Sequence, residues 1–391
     1  MRRKTHSLFV TGGTGYLGSY VVTDLLADPD VERVFLLSRA SGPEEEQDKL
    51  WRALQLHMDE ETFRALLPRI EIVHGDLAAP GLGIAPRTRE RIMERCDTVL
   101  HIAASLNRKS DKACFNANLR GSLSVIQLVR ALAEHRGGLH RYGVVSTTAV
   151  SGKREHQLVT EDESIDWDLS DYDPYARTKK FAEHMTHELL PDVDKVIMRP
   201  PTVMGDSRFP QTSQFEMVRI TCAMFDLPAV PVHPDTRLDF VPANYVGSAI
   251  AKLIMKPELR FHTYHLSAGE DAVVARELHA RLVREGIHAP RMMPGLLPLF
   301  AGVSGQLANA PRGNVSLFAS LVKVFLPYFT NDVVFDNTRL KEELGVSVPR
   351  FVDYFPDTYR WAKSVAFRYP YRPLTGRPSA RSTETGERAT P

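Results

Sequence analysis

The run Tyr175-Ala-Arg-Thr-Lys179 places a phenol and an ammonium four residues apart, which on a helix is one face, one turn from each other. A phenol of pKa near 10 is a poor acid or base at neutral pH. A neighbouring lysine cation and the positive ring of an oxidised nicotinamide both favour its ionised form. Such a pair can exchange a proton with a carbonyl oxygen while a nicotinamide exchanges a hydride with the carbon. Just upstream, Ser146-Thr147-Thr148 closes an apolar segment, and its hydroxyls can donate a hydrogen bond to that same oxygen. With 12 tyrosines in the chain, the four-residue spacing also arises by chance, so its place after an apolar strand is what gives it weight.

Hydride chemistry needs a dinucleotide site. The run Thr11-Gly12-Gly13-Thr14-Gly15-Tyr16-Leu17-Gly18 follows the apolar Leu8-Phe9-Val10 and precedes Tyr20, Val21, Val22, Leu25 and Leu26 at helical spacing. This reads as strand, glycine turn, helix. Glycines at these steps let the backbone turn sharply, approach a pyrophosphate and pack the helix on the sheet. The helix start supplies free N–H groups and a partial positive charge. A glycine triplet by itself also serves plain tight loops; the strand before it and the helix after it favour the dinucleotide reading. At the end of the next apolar strand, Leu37 is followed by Ser38-Arg39, and no carboxylate appears until Glu44. An arginine and a hydroxyl suit a 2′-phosphate better than a bare ribose, so the expected cofactor is NADPH.

The elements that must position these groups alternate. Residues 34–37, 70–73, 99–102, 143–146 and 196–198 read as further buried strands, separated by helical patterns that include about 119–135 and 175–190. Strands alternating with helices imply a doubly wound α/β Rossmann fold with a parallel sheet covered on both faces. From about residue 205 prolines at 210, 228, 231, 234 and 242 break the pattern, although 246–255 still reads as helix and 263–266 as strand. We therefore expect residues 1–205 to form the NADP-binding domain, with later strands returning to its sheet around 235–270. Residues 206–375 would mainly form a smaller C-terminal substrate lobe, and 376–391, without a large apolar side chain, a disordered tail.

Taken together, these pieces resemble the extended short-chain dehydrogenase/reductase superfamily. Leu36-Leu37-Ser38-Arg39, Gly75-Asp76-Leu77-Ala-Ala-Pro-Gly-Leu-Gly83, His101-Ile-Ala-Ala-Ser-Leu-Asn107, Asn118-Leu-Arg-Gly121 and Arg199-Pro-Pro-Thr-Val-Met-Gly205 are similar to its thioester reductase branch. That branch holds the fatty acyl-CoA reductases and the reductase domains of carboxylic acid reductases and peptide synthetases. The resemblance covers roughly residues 7–270 and fades over 280–330. It implies Thr147 and Tyr175 as donors to the substrate oxygen, with Thr148 as the alternative hydroxyl. Lys179 would bind the ribose and tune the tyrosine. Gly12, Gly15 and Gly18 would cradle the pyrophosphate, with Thr14, Tyr16 and Leu17 also in the cofactor site, and Arg39 would hold the 2′-phosphate. Asp76 and Leu77 would border the adenine, Ala103 and Ala104 would line the cofactor, and Pro200, Thr202 and Val203 would edge the nicotinamide. For Asp76 a plain turn role stands beside the adenine one. The implied activity is NADPH-dependent reduction of an acyl thioester, carried on coenzyme A or a carrier protein, to an aldehyde and on to an alcohol. A ketone or 3-hydroxy dehydrogenase, or an epimerase-like relative, acting on a lipid, steroid or nucleotide sugar is the alternative. The resemblance also suggests a homodimer through the helices at about 119–135 and 175–190.

Composition narrows the field further. With 49 Lys and Arg against 48 Asp and Glu among 391 residues, there is no electrostatic case for nucleic acid. Cys96, Cys114 and Cys222 are too few and scattered for a disulfide framework or a metal cage, and a cytoplasmic setting is expected. We read Cys114 as a buried thiol and His101 as a satisfied core residue. Met292 to Pro311 is uncharged but interrupted by Pro294, Gly295, Pro298, Gly302 and Gly305, and reads as a loop or lid, not a membrane span. Arg237-Leu-Asp239-Phe240-Val241 either closes the substrate cleft or forms a surface ion pair. Leu296, Leu297, Leu299, Phe300, Leu317, Phe318, Leu321, Val322 and Phe325 would fill a lobe core or line an acyl tunnel, core being the simpler expectation.

Overall fold

A computed structural model of the protein describes residues 5–39, 42–162, 165–308 and 314–375. Seven strands form one parallel sheet: β1 His6–Thr11, β2 Val31–Ser38, β3 Ile70–His74, β4 Thr98–His101, β5 Arg141–Val145, β6 Lys195–Arg199 and β7 Thr263–His265. Their order is β7-β6-β5-β4-β1-β2-β3, so the winding reverses between β1 and β4. That reversal is where doubly wound sheets open a crevice for ligands. The longer helices are α1 Tyr16–Ala27, α2 Pro43–Leu54, α3 Pro86–Arg95, α4 Gly121–Arg136, α5 Pro174–Leu189, α6 Glu216–Phe225, α7 Ala243–Met255, α8 Ala275–Arg284, α9 Leu297–Ala308, α10 Asn314–Phe325 and α11 Phe351–Ser364.

The inner stretches of the central strands, such as Leu8–Val10, Val34–Leu36 and Val196–Met198, are apolar and buried because successive side chains point to opposite faces and both faces are covered. Leu8 and Val10 enter one core with Val34, Leu36 and Leu100, under α1, α2 and α7. Phe9, Phe35 and Val99, one step out of phase, enter the other with Ile92 of α3 and Val125, Leu128 and Val129 of α4. Truncating a wholly buried phenylalanine such as Phe9 to alanine costs about 3–5 kcal/mol. A third core, built from α6, α8, α10 and α11 around Phe240, Phe351 and Phe355, belongs to the C-terminal half. A short parallel pair, Gln157–Val159 with Val333–Phe335, links that half to the segment after β5.

Three expectations change. Of the segment 292–311 read as loop or lid, 309–311 lie outside the described residues and Leu297–Ala308 forms the helix α9. Pro298 falls in its first turn, where a missing N–H costs nothing, and Gly302 and Gly305 weaken a helix by only about 1 kcal/mol each. No helix among the described residues is long and apolar enough to cross a membrane. The helix expected at 119–135 continues a longer helical run, from Asp111 through a π-turn at Phe115–Arg120 into α4. In α9, Leu297 and Leu299 are 36 and 59% exposed, so they are not core, whereas Val322 and Phe325 are buried and Phe300 packs against the same cluster. The side chains of Leu317, Phe318 and Leu321, and the tail 376–391, lie outside the described residues.

Candidate functional site

The glycine turn sits at the sheet's winding reversal. Gly12 has φ +80°, and a Cβ there would lie 2.5 Å from the backbone nitrogen of Ala103, at the end of β4. Ala103 N–H in turn bonds the Thr11 carbonyl at 3.2 Å. Gly15 is the N-cap of α1, with no side-chain cap and no acidic residue in the first turn. The first N–H groups of the helix therefore have no side chain competing for them, as an anion site requires. Gly18 packs on the Gly12–Gly13 backbone. Leu17 packs into the core beside α1, and the Tyr16 hydroxyl donates to the Gly205 carbonyl at 3.1 Å. Burial pushes the Tyr16 phenol up to about 12, so it acts as a neutral tie between the turn and the segment after β6. Thr14 stands half-buried in the turn.

Arg39 is exposed just beyond β2. Beside it, Ser38 accepts a hydrogen bond from Lys49 of α2 at 3.1 Å, which brings a second cation to the strand end. No spacing in the sequence marked Lys49. Asp76 caps its own turn, accepting from Ala78 N–H at 3.0 Å, which is the plain turn role. Leu77 packs against Gly121, where a Cβ would lie 2.5 Å from its Cγ. Ala103 and Ala104 follow β4 half-buried. Pro200 accepts from Thr148 N–H at 3.0 Å, and Thr202–Val203 pairs with Phe240–Val241.

β5 ends at Val145, and Thr147 lies just past it, 8% exposed, its hydroxyl accepting from Ala149 N–H at 3.2 Å. Asp173 caps α5, accepting from Ala176 N–H at 2.8 Å, with Pro174 at the first helical position. This cap, an Asp-Pro start, sets Tyr175 at the head of the helix, 7% exposed. The Thr147 hydroxyl approaches the phenol and favours its ionised form by hydrogen bonding. The structure thus places Thr147 beside Tyr175. Burial raises the phenol's pKa above the usual value, opposed first by the Arg108 guanidinium. Lys179, one turn on, donates to the Val145 carbonyl at 2.7 Å, and burial brings its ammonium down to about 8. The cation set against the phenol is therefore Arg108, whose Cζ stands 4.5 Å from the ring centroid, while Lys179 reaches the strand end. Asn118, held by the π-turn, accepts from Ser105 N–H at 2.7 Å and donates to Thr178 of α5 at 3.1 Å. It joins the loop after β4 to the helix that carries the tyrosine.

Other candidates resolve into supporting roles. His101 is fully buried between Thr11 (2.7 Å) and Ser122 (2.9 Å), and burial lowers it to about 3, so it is a neutral core residue. Cys114 is buried and donates to the Asn107 carbonyl at 3.3 Å, and burial raises its thiol. Arg237 pairs with Asp332 at 2.9 Å, the ion-pair reading. Asp239 accepts from Ala268 N–H at 2.8 Å, and burial pushes its carboxyl up to about 7.

Residues 10–250 match the NAD-binding family described as male sterility protein, more than half of the 391 residues. The chain belongs to that family. Among curated family relatives, the aldehyde reductase lnaA of Aspergillus flavus is 29% identical over 62% of this chain and 24% of its own length. A linear gramicidin synthase of Brevibacillus parabrevis is 27% identical over 89% of this chain and 7% of its own. The fatty acyl-CoA reductase wat of Drosophila melanogaster is 27% identical over 56% and 47%. The chain thus spans about a quarter or less of the length of the first two relatives. Among solved structures, the terminal R domain of the myxalamid PKS-NRPS pathway superposes with TM-score 0.79 and 26% identity, over 94% of this chain and 92% of that one. The male sterility family to which the chain belongs therefore includes fatty acyl-CoA reductases and the reductase domains of peptide synthetases, in the thioester reductase branch of the extended short-chain dehydrogenase/reductases.

Proposed function

We propose that the chain is an NADPH-dependent reductase of acyl thioesters, releasing an aldehyde and, in a second round, an alcohol. The observation that carries this reading is the meeting of Thr147 and Tyr175 past β5, at the carboxyl end of the parallel strands where the glycine turn past β1 also lies, in a chain whose relatives include fatty acyl-CoA reductases and synthetase reductase domains.

The turn around Gly12, Gly15 and Gly18 would hold the pyrophosphate, and Arg39 with Lys49 beside Ser38 would hold the 2′-phosphate. Asp76 and Leu77 would border the adenine; Ala103, Ala104, Pro200, Thr202 and Val203 would line the path to the nicotinamide. The bound cofactor supplies the hydride to the acyl carbon. Tyr175 and Thr147 then orient and stabilise the carbonyl oxygen as charge develops on it, and the phenol passes its proton to that oxygen. Collapse of the hemithioacetal returns that proton to the phenolate and expels the sulfur as a thiolate, which takes a proton from water, leaving the aldehyde and a free thiol. Lys179, drawn from the Val145 carbonyl, would bind the ribose hydroxyls. We take residues 1–205 with β7 as the cofactor-binding domain and 206–375 as the substrate lobe, the molecule as a cytoplasmic homodimer pairing through α4 and α5, and the thiol carrier as coenzyme A or a phosphopantetheine arm.

The test is a panel of acyl-CoA thioesters, carrier-bound acyl groups, ketones and free aldehydes, followed by NADPH oxidation and by thiol release. Thioester-dependent oxidation with one thiol freed per acyl group is expected. Turnover of ketones alone, with no thiol released, would replace this reading by that of a ketone or 3-hydroxy dehydrogenase.

A further inference from the structure

Arg108 takes no part in the chemistry assigned to Thr147, Tyr175 and Lys179, yet it occupies the junction of the whole site. It sits in the loop after β4, and its guanidinium stands 4.5 Å over the ring of Tyr175. One of its nitrogens donates both to Asp173, the cap of α5, at 2.8 Å and to the hydroxyl of Tyr328 at 2.8 Å. Phe325 closes a further side, with Cζ 5.6 Å from its ring centroid. Tyr328 in turn stacks on Tyr172 with centroids 5.8 Å apart. A single side chain therefore touches the Rossmann loop, the head of α5, the phenol and the C-terminal helices.

We propose that Arg108 is a positioning residue for Tyr175, clamping its ring against the C-terminal helices and supplying the positive charge against which the phenol gives up its proton. The inference rests on the reading of Tyr175 as proton donor. A cation over an aromatic face is attracted by the ring's negative face. When the phenol has passed its proton to the substrate oxygen, the negative charge left behind spreads into the ring, and the attraction grows. The interaction is therefore stronger after proton transfer than before it, which is the condition for lowering the barrier. The groups facing Tyr175 agree with this assignment. Asp173 opposes ionisation, but it is paired to Arg108 and capping α5. Cys114 stays a neutral thiol, Thr147 favours the ionised form, and Lys179 is turned to the Val145 carbonyl. Burial of Tyr328 raises its own phenol and keeps it neutral, so it serves Arg108 as an acceptor.

The experiment compares Arg108→Met, Arg108→Lys, Tyr328→Phe and Tyr175→Phe with the wild type, in the full chain. It measures kcat and KM for an acyl-CoA at saturating NADPH between pH 6 and 10, and NADPH affinity by cofactor fluorescence. Arg108→Met is expected to lower kcat about tenfold or more, with KM and NADPH affinity little changed. It should also move the alkaline limb of the kcat profile upward, because the phenol without its cation holds its proton to higher pH. Arg108→Lys, which keeps the charge but not the planar stack, should restore the limb and only part of kcat. Tyr328→Phe deletes one acceptor and keeps the ring, and should lower kcat severalfold at unchanged NADPH affinity. Wild-type kcat in Arg108→Met, or a lower kcat with the limb unmoved, overturns the proposal. If Arg108→Met fails to bind NADPH, the decision passes to the other two variants, and wild-type kcat in both overturns it. Tyr175→Phe keeps the two questions apart: wild-type turnover there sinks the reading of Tyr175 itself, whereas its loss beside unaffected Arg108 variants sinks only Arg108.

Discussion

Two glycines of one turn, Gly12 and Gly15, allow the dinucleotide site to be tested by contrast. In Gly12→Ala the new methyl lies 2.5 Å from the Ala103 nitrogen and 2.8 Å from its Cα, both backbone atoms, at a φ of +80°. The left-handed conformation costs an alanine about 1–2 kcal/mol. Crowding against backbone that cannot swing away adds about 1–3 kcal/mol. A loss of about 2–5 kcal/mol is expected, or a Tm lower by about 2–6 °C at roughly 1.2 °C per kcal/mol for a chain this large. In Gly15→Ala the methyl meets only the Gly12 carbonyl oxygen, at 3.2 Å, and φ is an ordinary −79°. The folding cost is then about 1 kcal/mol or less, the difference between glycine and alanine at an N-cap. The same methyl, however, stands where a pyrophosphate must approach the helix start, so NADPH affinity should fall about tenfold or more, which is about 1.4 kcal/mol. Calorimetry gives Tm and fluorescence titration gives Kd. Should Gly15→Ala bind NADPH like the wild type, the phosphates do not rest at the start of α1; should Gly12→Ala melt like the wild type, the close approach of β1 and β4 is wrong.

Tyr175→Phe keeps the ring under Arg108 but removes the proton, and kcat should fall by about 10² or more with NADPH binding retained; Thr147→Ala should cost less, Thr148→Ala least, by steady-state kinetics. Arg39→Ala combined with Lys49→Ala should raise KM for NADPH at least tenfold while leaving that for NADH unchanged, and equal effects on both would remove the 2′-phosphate assignment. Asp239, with its carboxyl raised to about 7 by burial, binds a proton in the folded state that the unfolded chain has released. Its contribution is intact below about pH 4 and declines as pH rises through 7, at up to roughly 1.4 kcal/mol per unit. Relative to the wild type, Asp239→Asn should therefore gain stability between pH 4 and 7 by chemical denaturation; a difference independent of pH would show that the carboxyl titrates normally.

What could be read from the amino-acid sequence was what is local. β1 through β6 each carry a short apolar run because both faces of a parallel sheet are covered, and the glycine turn is defined by neighbours within eight positions. The cap of α5, Asp173-Pro174, is equally local, and could have pointed to the head of that helix. Arg108 could not be found this way, since its partner Tyr328 lies 220 positions away and a lone arginine carries no periodic signal. The pairing of Lys179 with the Val145 carbonyl was hidden for the same reason: spacing sets which face of a helix a residue shares, not which strand its long side chain reaches. α9 was obscured by prolines and glycines whose cost depends on their place in the turn, and the exposure of Leu297 and Leu299 depends on neighbours that composition does not reveal.

The path of the chain between its cores has a practical consequence. After Val203 it leaves the cofactor-side core for the C-terminal one, returns with Val241 and α7 to place β7 on the sheet edge, and leaves again at Val273. It comes back at Leu340, leaves again at Phe351, and comes back a last time when the Arg372 carbonyl accepts from Trp51 of α2 at 2.7 Å. The substrate side therefore cannot be exchanged by a single cut. A chimaera made by joining one front half to another back half would carry off the sheet's last strand and the strap that covers Trp51. Grafting a new specificity would instead require several splices, or redesign of side chains within the existing thread.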